Sequence, residues 1–479
     1  MPTVHKIASN AVILSGGQVL ILLSNFISIV LITNYMGVKG FGIFNYSIIF
    51  VGYFAIFANL GMKPIIYREF SRNKASRETL FWNALGAKLI INCAIWIFLI
   101  ATSVIIHRDP KIIETIFFMS FLLFVSAKNE TFRIVPELFL ESEFDVKRPI
   151  LFQVMDGLIL MTSIYIATRL HAKYILIVMI FVFANLPGIL GLFWFINRRH
   201  KIKFLVHLDF LKWLVKESYP IFFFSLFMFL HDRTDIMLLK TFAGMRDIGL
   251  YAAAFRLVNP LSFFVSAVLI SIYPLMALYG KTNKEHFDFI VNLAVKAIFL
   301  LGIIFAVSIY FFANDIIIFL FSKKYAASIP ALRILVWSKI FGFLILFLVD
   351  LNNSIDKQAL NTKVAITIFL VNLLLDLFLI PRFSYIGASW GKLFSLFVGS
   401  LFIFLIVKER IQSGLIFSMA KILPFIPLFI YARFAFGSYY QLGYLVGMIV
   451  FILFVVKISY FSQEERHLLL QIISRKVLK

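Results

Sequence analysis

The feature that most constrains this chain is a succession of apolar runs, each long enough to cross a membrane. A spanning helix needs about 20 predominantly apolar residues. We number these runs as spans one to fourteen. They lie at residues 12–35, 41–65, 80–106, 112–138, 150–168, 174–196, 218–240, 249–278, 287–312, 329–350, 364–381, 385–407, 415–432 and 441–461. The sequence therefore predicts an all-α polytopic membrane protein with about fourteen transmembrane helices.

The composition excludes a soluble protein of this length. Hydrophobic residues make up 61% of the 479 residues and charged residues 15%, whereas a soluble domain carries about 25% charged residues. The apolar excess must face lipid. The first apolar run is longer than the core of a signal peptide and no cleavage pattern follows it, so we expect an uncleaved first span.

Basic residues predict the orientation, because lysine and arginine are more frequent in cytoplasmic loops. With a cytoplasmic N-terminus, the cytoplasmic segments carry 23 of the 46 basic residues, the opposite loops carry 10, and 13 lie within spans. We expect both termini on the cytoplasmic face of the membrane. The net charge of +22 lies in clusters at the membrane surface, which indicates anionic lipid rather than nucleic acid as the partner.

An internal repeat relates the first hairpin of spans to the hairpin of spans seven and eight. At an offset of 207 residues, Gly37 aligns with Gly244 and Gly42 with Gly249. Six spans separate the copies, so both have the same orientation, as in several transporter folds with parallel repeats. The alternative is chance similarity between apolar hairpins. The repeat predicts two six-helix lobes at residues 1–203 and 204–408, the second beginning with an amphipathic segment at 204–217, and two appended helices with a tail at 409–479.

Motifs for enzymatic chemistry are absent from the sequence. It contains no HExxH and no Gly-x-Ser-x-Gly motif, and its single cysteine, Cys93, excludes a cysteine metal site. Residues 280–282 end like a phosphate loop, but they follow a span rather than a strand. We therefore expect no enzyme, no metal and no cofactor. Transport would be driven by a proton or sodium gradient, or be a passive exchange.

Ionisable residues within spans are costly, and they usually face a cavity or a partner. Arg233 of span seven and Arg256 of span eight are candidates to line a cavity and attract an anion. Asp235 lies level with Arg256 in this hairpin, so a structural Asp235–Arg256 pair is the competing interpretation. Lys88 and Lys296 occupy nearly equivalent places in the repeat, which favours cavity lining over the alternative of snorkelling.

Span four carries a second group of charges, Glu130, Arg133 and Glu137, with helical spacing. They predict an acid–base–acid stripe that either satisfies itself or exchanges a coupling cation through one carboxylate. Basic residues at bilayer depth suit a phosphate-bearing headgroup, because arginine and lysine bind phosphate by charge and hydrogen bonding. Weaker candidates within the spans are Asp156, Lys339, Asp350, Asp376 and Lys392.

Four stretches together resemble the Wzx-type polysaccharide biosynthesis flippases of the multidrug/oligosaccharidyl-lipid/polysaccharide exporter superfamily. They are residues 25–42 with 59–61 and the pair Arg68-Glu69, residues 233–238, residues 249–257 with Pro274, and residues 372–381 with 387–388. The resemblance implies the multidrug and toxin extrusion fold, with two lobes around a basic cavity and alternating access. Lys63 departs from the family pattern, in which an acidic or small residue is expected.

The resemblance also implies a substrate, a polyprenyl-diphosphate-linked oligosaccharide that serves O-antigen, lipopolysaccharide, capsule or exopolysaccharide synthesis. We expect Arg233, Arg256, Lys88 and Lys296 to bind its diphosphate, and Asp235, Glu130 or Glu137 to carry a coupling ion. Other polysaccharide assembly proteins are candidate partners. The alternatives are a lipid II flippase, a drug/cation antiporter, a membrane polymerase or glycosyltransferase, and a scaffold that recruits glycosyltransferases.

Overall fold

A computed structural model describes residues 2–72, 77–200, 207–355, 357, 359–407, 419–457, 460–462 and 465. The elements in this described part are α-helices, short 3₁₀ helices and turns, without a strand. The α-helices are Pro2–Asn59, Lys63–Arg72, Arg77–Ile106, Pro110–Ser120, Leu122–Val125, Ile134–Ser142, Lys147–Arg169, Tyr174–Phe183, Leu186–Arg199, Leu208–Phe242, Met245–Val258, Ser262–Thr282, Lys284–Phe321, Ile329–Ser354, Ala359–Val407, Phe425–Ala435 and Tyr440–Lys457.

Each predicted span overlaps at least one of these helices within the described residues, although span four is interrupted. Eight helices there are long and apolar enough to cross a membrane, and residues 209–242 add a ninth if their two bent halves are counted together. Two helices each contain two predicted spans. The helix Pro2–Asn59 is kinked at Gly37, which has φ 66°, and Ala359–Val407 is kinked at Ser384, which has φ 50°. The all-α, multi-span fold is therefore confirmed.

The contacts divide the chain into two compact units, Met1–Ala252 and Ala253–Lys479. In the first unit, the long helix Pro2–Asn59 packs along Lys147–Arg169. In the second unit, Ile329–Ser354 packs between Lys284–Phe321 and Ala359–Val407. The predicted lobe boundaries, at residues 203 and 408, stay a prediction.

The outward surface of the helices is apolar. Ile105 is 82% exposed and Phe319 is 85% exposed, and many other large apolar side chains of the spans are also uncovered. Several charged side chains are instead fully enclosed, among them Lys88, Arg133 and Asp235. This arrangement, with apolar groups outside and paired polar groups inside, is what a bilayer imposes on a protein.

Span four is broken, which differs from the continuous helix that its apolar run predicts. The helix Leu122–Val125 ends before residues 126–133, which are not helical, and Ile134–Ser142 resumes beyond them. The Thr131 hydroxyl and the Asn92 amide of span three both donate to the buried carbonyl of Leu123, just before the break. The predicted stripe of Glu130, Arg133 and Glu137 along one helical face is therefore wrong, because Glu130 lies in the break with φ 52°.

The glycine corners of the repeat contact each other reciprocally. A Cβ on Gly42 would overlap the carbonyl oxygen of Met245, and a Cβ on Gly249 would overlap the carbonyl oxygen of Val38. The offset of 207 residues relates Val38 to Met245 and Gly42 to Gly249, so each contact is the other with its partners exchanged. This is the pattern that a local two-fold axis produces. Only glycine allows such close approach of two backbones.

Candidate functional site

Span seven presents its charged residues at different depths. Asp235 is fully buried and accepts a hydrogen bond from the Tyr251 hydroxyl of span eight. Arg233, two residues before it, is half-buried, and so is Arg256. Thr234 holds span seven to span two through the Tyr53 hydroxyl at 3.1 Å. A half-buried guanidinium remains reachable from outside the protein, so both arginines keep the exposure that anion binding requires.

Lys88 is completely enclosed in the first unit. Its ammonium donates to the carbonyls of Ala58 at 3.1 Å and Asn59 at 3.0 Å. These carbonyls belong to the end of span two, where Leu60 and Gly61 have positive φ. The lysine thus caps the terminus of a neighbouring helix. Contact with a substrate would require its ammonium to leave these carbonyls.

Lys296, its counterpart in the repeat, has a different partner. Its ammonium lies 3.0 Å from both carboxylate oxygens of Glu465, which follows span fourteen. The Tyr460 hydroxyl donates to the Lys296 carbonyl at 3.1 Å. Tyr460 and Glu465 therefore both bond to Lys296 of span nine.

The break in span four creates a buried ionic cluster in the first unit. Arg133, which has no exposed surface, bonds Glu137 at 2.9 Å and Asp156 of span five at 2.5 Å. The Gln153 amide donates to Glu137 at 3.1 Å, and the backbone N–H of Gly188 donates to Asp156 at 2.8 Å. Glu130 is separate from this cluster, because it pairs with Lys63 at 2.6 Å on a partly exposed surface.

A cavity of about 120 Å³ adjoins this cluster. Its walls come from spans one, two, four, five and six, and the non-helical residues 126–129 supply one side. Asp156 and Gln153 connect the cavity to the ionic cluster, while Asn25 and Asn185 supply amides. The cavity therefore has polar amides in its wall and lies directly beside the ionic cluster of Arg133, Glu137 and Asp156.

The second unit contains a related group of buried polar residues. Asp376 of span eleven is fully buried, and it accepts from the Asn372 amide at 2.9 Å. The Lys392 ammonium of span twelve lies 3.5 Å from the Asn372 amide oxygen and is only 2% exposed. Lys339, another weak candidate, contacts the Asn259 side chain at 3.3 Å.

Sequence reasoning missed the partners rather than the charges. Arg133 and Asp156 were each recognised as ionisable residues within spans, but nothing along the chain joins them across 23 residues. Gln153 carried the one available signal, since it lies three residues before Asp156 on the same helix. Glu465 lies beyond the last span, and its pairing with Lys296 over 169 residues left no local pattern.

The fold has solved relatives that define its class. It is similar to the lipid II flippase MurJ in an inward closed conformation, with a TM-score of 0.72, 15% identity, and coverage of 94% of this chain and 99% of that one. An inward-facing multidrug resistance MATE family transporter of the MOP superfamily gives a TM-score of 0.67 and 16% identity, over 81% of this chain and 95% of that one. A MOP superfamily transporter from Pyrococcus furiosus gives 0.61 and 16%, over 86% and 96%. The molecule therefore has the fold of the MOP superfamily transporters.

The family follows from the sequence itself. The model of the polysaccharide biosynthesis protein family matches residues 7–280, more than half of the chain, and the chain belongs to this family. The MatE model matches residues 220–378. An uncharacterised membrane protein of Methanocaldococcus jannaschii is 29% identical over 180 residues, and this match spans about a third of the length of that relative and 35% of this chain. The predicted superfamily is confirmed.

Proposed function

We propose that the protein moves a polyprenyl-diphosphate-linked oligosaccharide from the cytoplasmic to the outer leaflet of a bacterial inner membrane. Membership of the polysaccharide biosynthesis family carries this proposal. The cargo serves O-antigen, capsule or exopolysaccharide synthesis, and other polysaccharide assembly proteins act beside it. Both termini face the cytoplasm, where the basic loops lie. Alternating access, as the fold of transporters suggests, exposes the site to one leaflet at a time.

Arg233 and Arg256 are the principal diphosphate ligands in this proposal. Both lie within predicted spans and both are half-buried, and a guanidinium pairs with phosphate through two parallel hydrogen bonds. Lys88 and Lys296 are secondary ligands, because the first donates to backbone carbonyls and the second pairs with Glu465 in this conformation. Either lysine would join the substrate only after a rearrangement.

Translocation in proteoliposomes tests the proposal. Liposomes with labelled polyprenyl-diphosphate glycans should show protein-dependent movement between leaflets. The double variant Arg233→Ala/Arg256→Ala should reduce it by about a hundredfold, since each charge-assisted hydrogen bond contributes about 1.5–3 kcal/mol. Arg246→Ala, between spans seven and eight, is the matched control. Equal transport by the double variant and the control would refute the binding role of the arginines.

The coupling ion is a proton or a sodium ion in this proposal, carried by Asp235, Glu130 or Glu137. Glu130 is partly exposed beside Lys63, while Glu137 and Asp235 are enclosed. Replacing the carrier by its amide should abolish stimulation by a gradient and leave passive exchange intact. Glu114→Gln, at an exposed position of span four, is the control. Undiminished stimulation in all three amide variants would exclude these carboxylates.

A drug/cation antiporter is the second candidate, favoured by the MatE match over residues 220–378. The same liposomes can be loaded with a lipophilic cation such as tetraphenylphosphonium. Proton- or sodium-driven cation export without movement of the lipid-linked glycan would replace the flippase by this alternative. Synthesis of longer glycan chains in the liposomes would instead indicate a polymerase.

A further inference from the structure

The cavity beside the ionic cluster of the first unit has the lining of a specific site. It lies among spans one, two, four, five and six, where residues 126–129 are not helical. Its volume of about 120 Å³ is several times the roughly 10–15 Å³ that one water needs. The space fits a compact polar guest with about the size of one sugar ring, and it is far larger than a bare ion requires.

The amide side chains in the wall each use at least one N–H on the protein. The Asn185 amide nitrogen donates to the Val182 carbonyl at 3.0 Å, and the Gln153 nitrogen donates to Glu137 at 3.1 Å. The Asn25 amide nitrogen donates to the Ile21 carbonyl, and the Asn25 amide oxygen accepts a hydrogen bond from the Lys128 ammonium. The described residues supply no donor to the amide oxygens of Asn185 and Gln153. An amide nitrogen carries two N–H groups and the Lys128 ammonium also lines the wall, so the cavity offers both acceptors and donors to a guest.

This polarity decides between classes of guest. A diphosphate presents only acceptor oxygens, so it could not bond the amide oxygens, whereas a sugar hydroxyl both donates and accepts. The Asp156 carboxylate is already bonded by Arg133 and by the Gly188 backbone, which leaves the amides and the Lys128 ammonium, itself bonded to Asn25 at 2.7 Å, as the polar contacts. Ile48, Leu160 and Phe181 form an apolar side of the same cavity. Polar groups that accept and donate on one side and apolar groups on the other suit a pyranose, whose hydroxyls donate and accept and whose C–H faces are apolar.

We propose that this cavity is a glycan subsite, which receives one neutral sugar ring of the transported oligosaccharide. The inference rests on the proposed function, and it adds where part of the sugar binds. The subsite selects for the presence of the glycan, while the diphosphate is bound elsewhere. The protein could then distinguish a completed lipid-linked oligosaccharide from its bare lipid carrier.

Two variants alter the cavity in different ways. Asn185→Leu removes an acceptor oxygen and keeps the approximate volume of the side chain. Ala127→Leu fills part of the space and removes no polar group. Asn34→Leu is the matched control, because Asn34 also donates to a carbonyl four residues earlier in its helix and lies outside the cavity.

The experiment compares two lipids bound by the full chain in nanodiscs. One is polyprenyl-diphosphate-linked oligosaccharide extracted from native membranes, and the other is synthetic polyprenyl diphosphate of the same chain length. Both cavity variants should weaken binding of the glycosylated lipid by about fivefold or more, the effect of losing a hydrogen bond or contact area. Binding of the bare lipid should change by less than about twofold, and the control should match the unaltered protein.

The outcomes distinguish a failure of the glycan subsite from a failure of the proposed flippase function. If the unaltered protein binds neither lipid, the proposed function fails and the subsite fails with it. If it binds the glycosylated lipid and both cavity variants bind it equally well, the function stands and the subsite is wrong. Equal weakening for both lipids also overturns the subsite. A loss that appears only in the sodium dependence of transport would assign the cavity to an ion.

Discussion

A buried aspartate occurs in each unit, Asp156 in the first and Asp376 in the second, and the side chains around the two can be compared. Each aspartate lies in the fifth span of its repeat and is buried, and each faces a glycine of the following span, Gly188 or Gly391. The basic residue nearby comes from different places. Arg133 reaches Asp156 from the break in span four.

In the second unit the basic residue is Lys392, which directly follows Gly391 on span twelve and contacts the Asn372 amide. Span ten, the repeat counterpart of span four, is the continuous helix Ile329–Ser354. It has no break from which a side chain could reach inward. The buried aspartate and the glycine that faces it therefore occur in both units. The basic residue near the aspartate differs, because span four is broken and span ten is continuous.

The largest effect is expected for Arg133→Leu. It leaves Glu137 and Asp156 buried without their cation, and breaking such a group costs about 3–5 kcal/mol. The unfolding midpoint in detergent, followed by tryptophan fluorescence, should fall well below that of the unaltered protein. Arg148→Gln, which breaks a partly exposed pair with Asp145, should have a much smaller effect.

A compensated variant makes this prediction stricter. Adding Glu137→Gln and Asp156→Asn to Arg133→Leu removes both uncompensated charges. The triple variant should unfold at a higher temperature than Arg133→Leu alone, because a buried ionic group can be replaced by neutral residues at little cost. A single variant as stable as the unaltered protein would mean that Arg133 does not support the first unit.

The recurring contact between aspartate and glycine predicts an intermediate effect. A Cβ at position 188 or 391 would overlap the facing carboxylate in either unit. Gly188→Ala and Gly391→Ala should each cost about 1–3 kcal/mol, the usual result of overpacking. Gly342→Ala is the control, since its nearest neighbour would be Leu396 at an ordinary 3.8 Å. A loss in only one unit would show that the contact is not equivalent in the two.

The smallest global effect is expected for Glu465→Gln. This variant removes the carboxylate that pairs with Lys296, whereas Lys88 donates to backbone carbonyls. The Ser462 amide donates to Glu465 at 2.7 Å. Loss of the carboxylate should speed hydrogen exchange at Ser462 by about tenfold, because charge-assisted bonds contribute about 1.5–3 kcal/mol. The midpoint of unfolding should hardly change, because a contact near the edge of a fold can open without global unfolding. Glu285→Gln, at an exposed position of the helix Lys284–Phe321 that contains Lys296, should leave this exchange rate unaltered.

The sequence predicts the spans well because lipid leaves little choice. A run of 20 apolar residues must form its hydrogen bonds internally, so length alone predicts a helix. The break in span four is different. Residues 126–133 contain neither proline nor glycine. Their path depends on the Leu123 carbonyl, which accepts from Thr131 and from Asn92 of span three. Local pattern cannot indicate a conformation that a distant side chain stabilises.

The same limit applies to the candidate site. Composition predicts which charges are unusual, because each intramembrane charge is costly on its own. It cannot predict that Lys88 meets two carbonyls while Lys296 meets a carboxylate, since both partners are contributed by other segments. Positions within a repeat were therefore a better guide to where a residue lies than to what it contacts.

The reciprocal glycine contact has a consequence for how the two repeats can change over time. Gly42 touches the backbone of the other copy at Met245, and Gly249 touches the first copy at Val38. A larger residue at either glycine could be accommodated only if the opposite hairpin moved its backbone, which no side-chain change in the same hairpin can achieve. After duplication, these two short segments could no longer drift independently, whereas the helices beyond them could. At Gly42 and Gly249, the residues that each hairpin can accept depend on the backbone of the other hairpin.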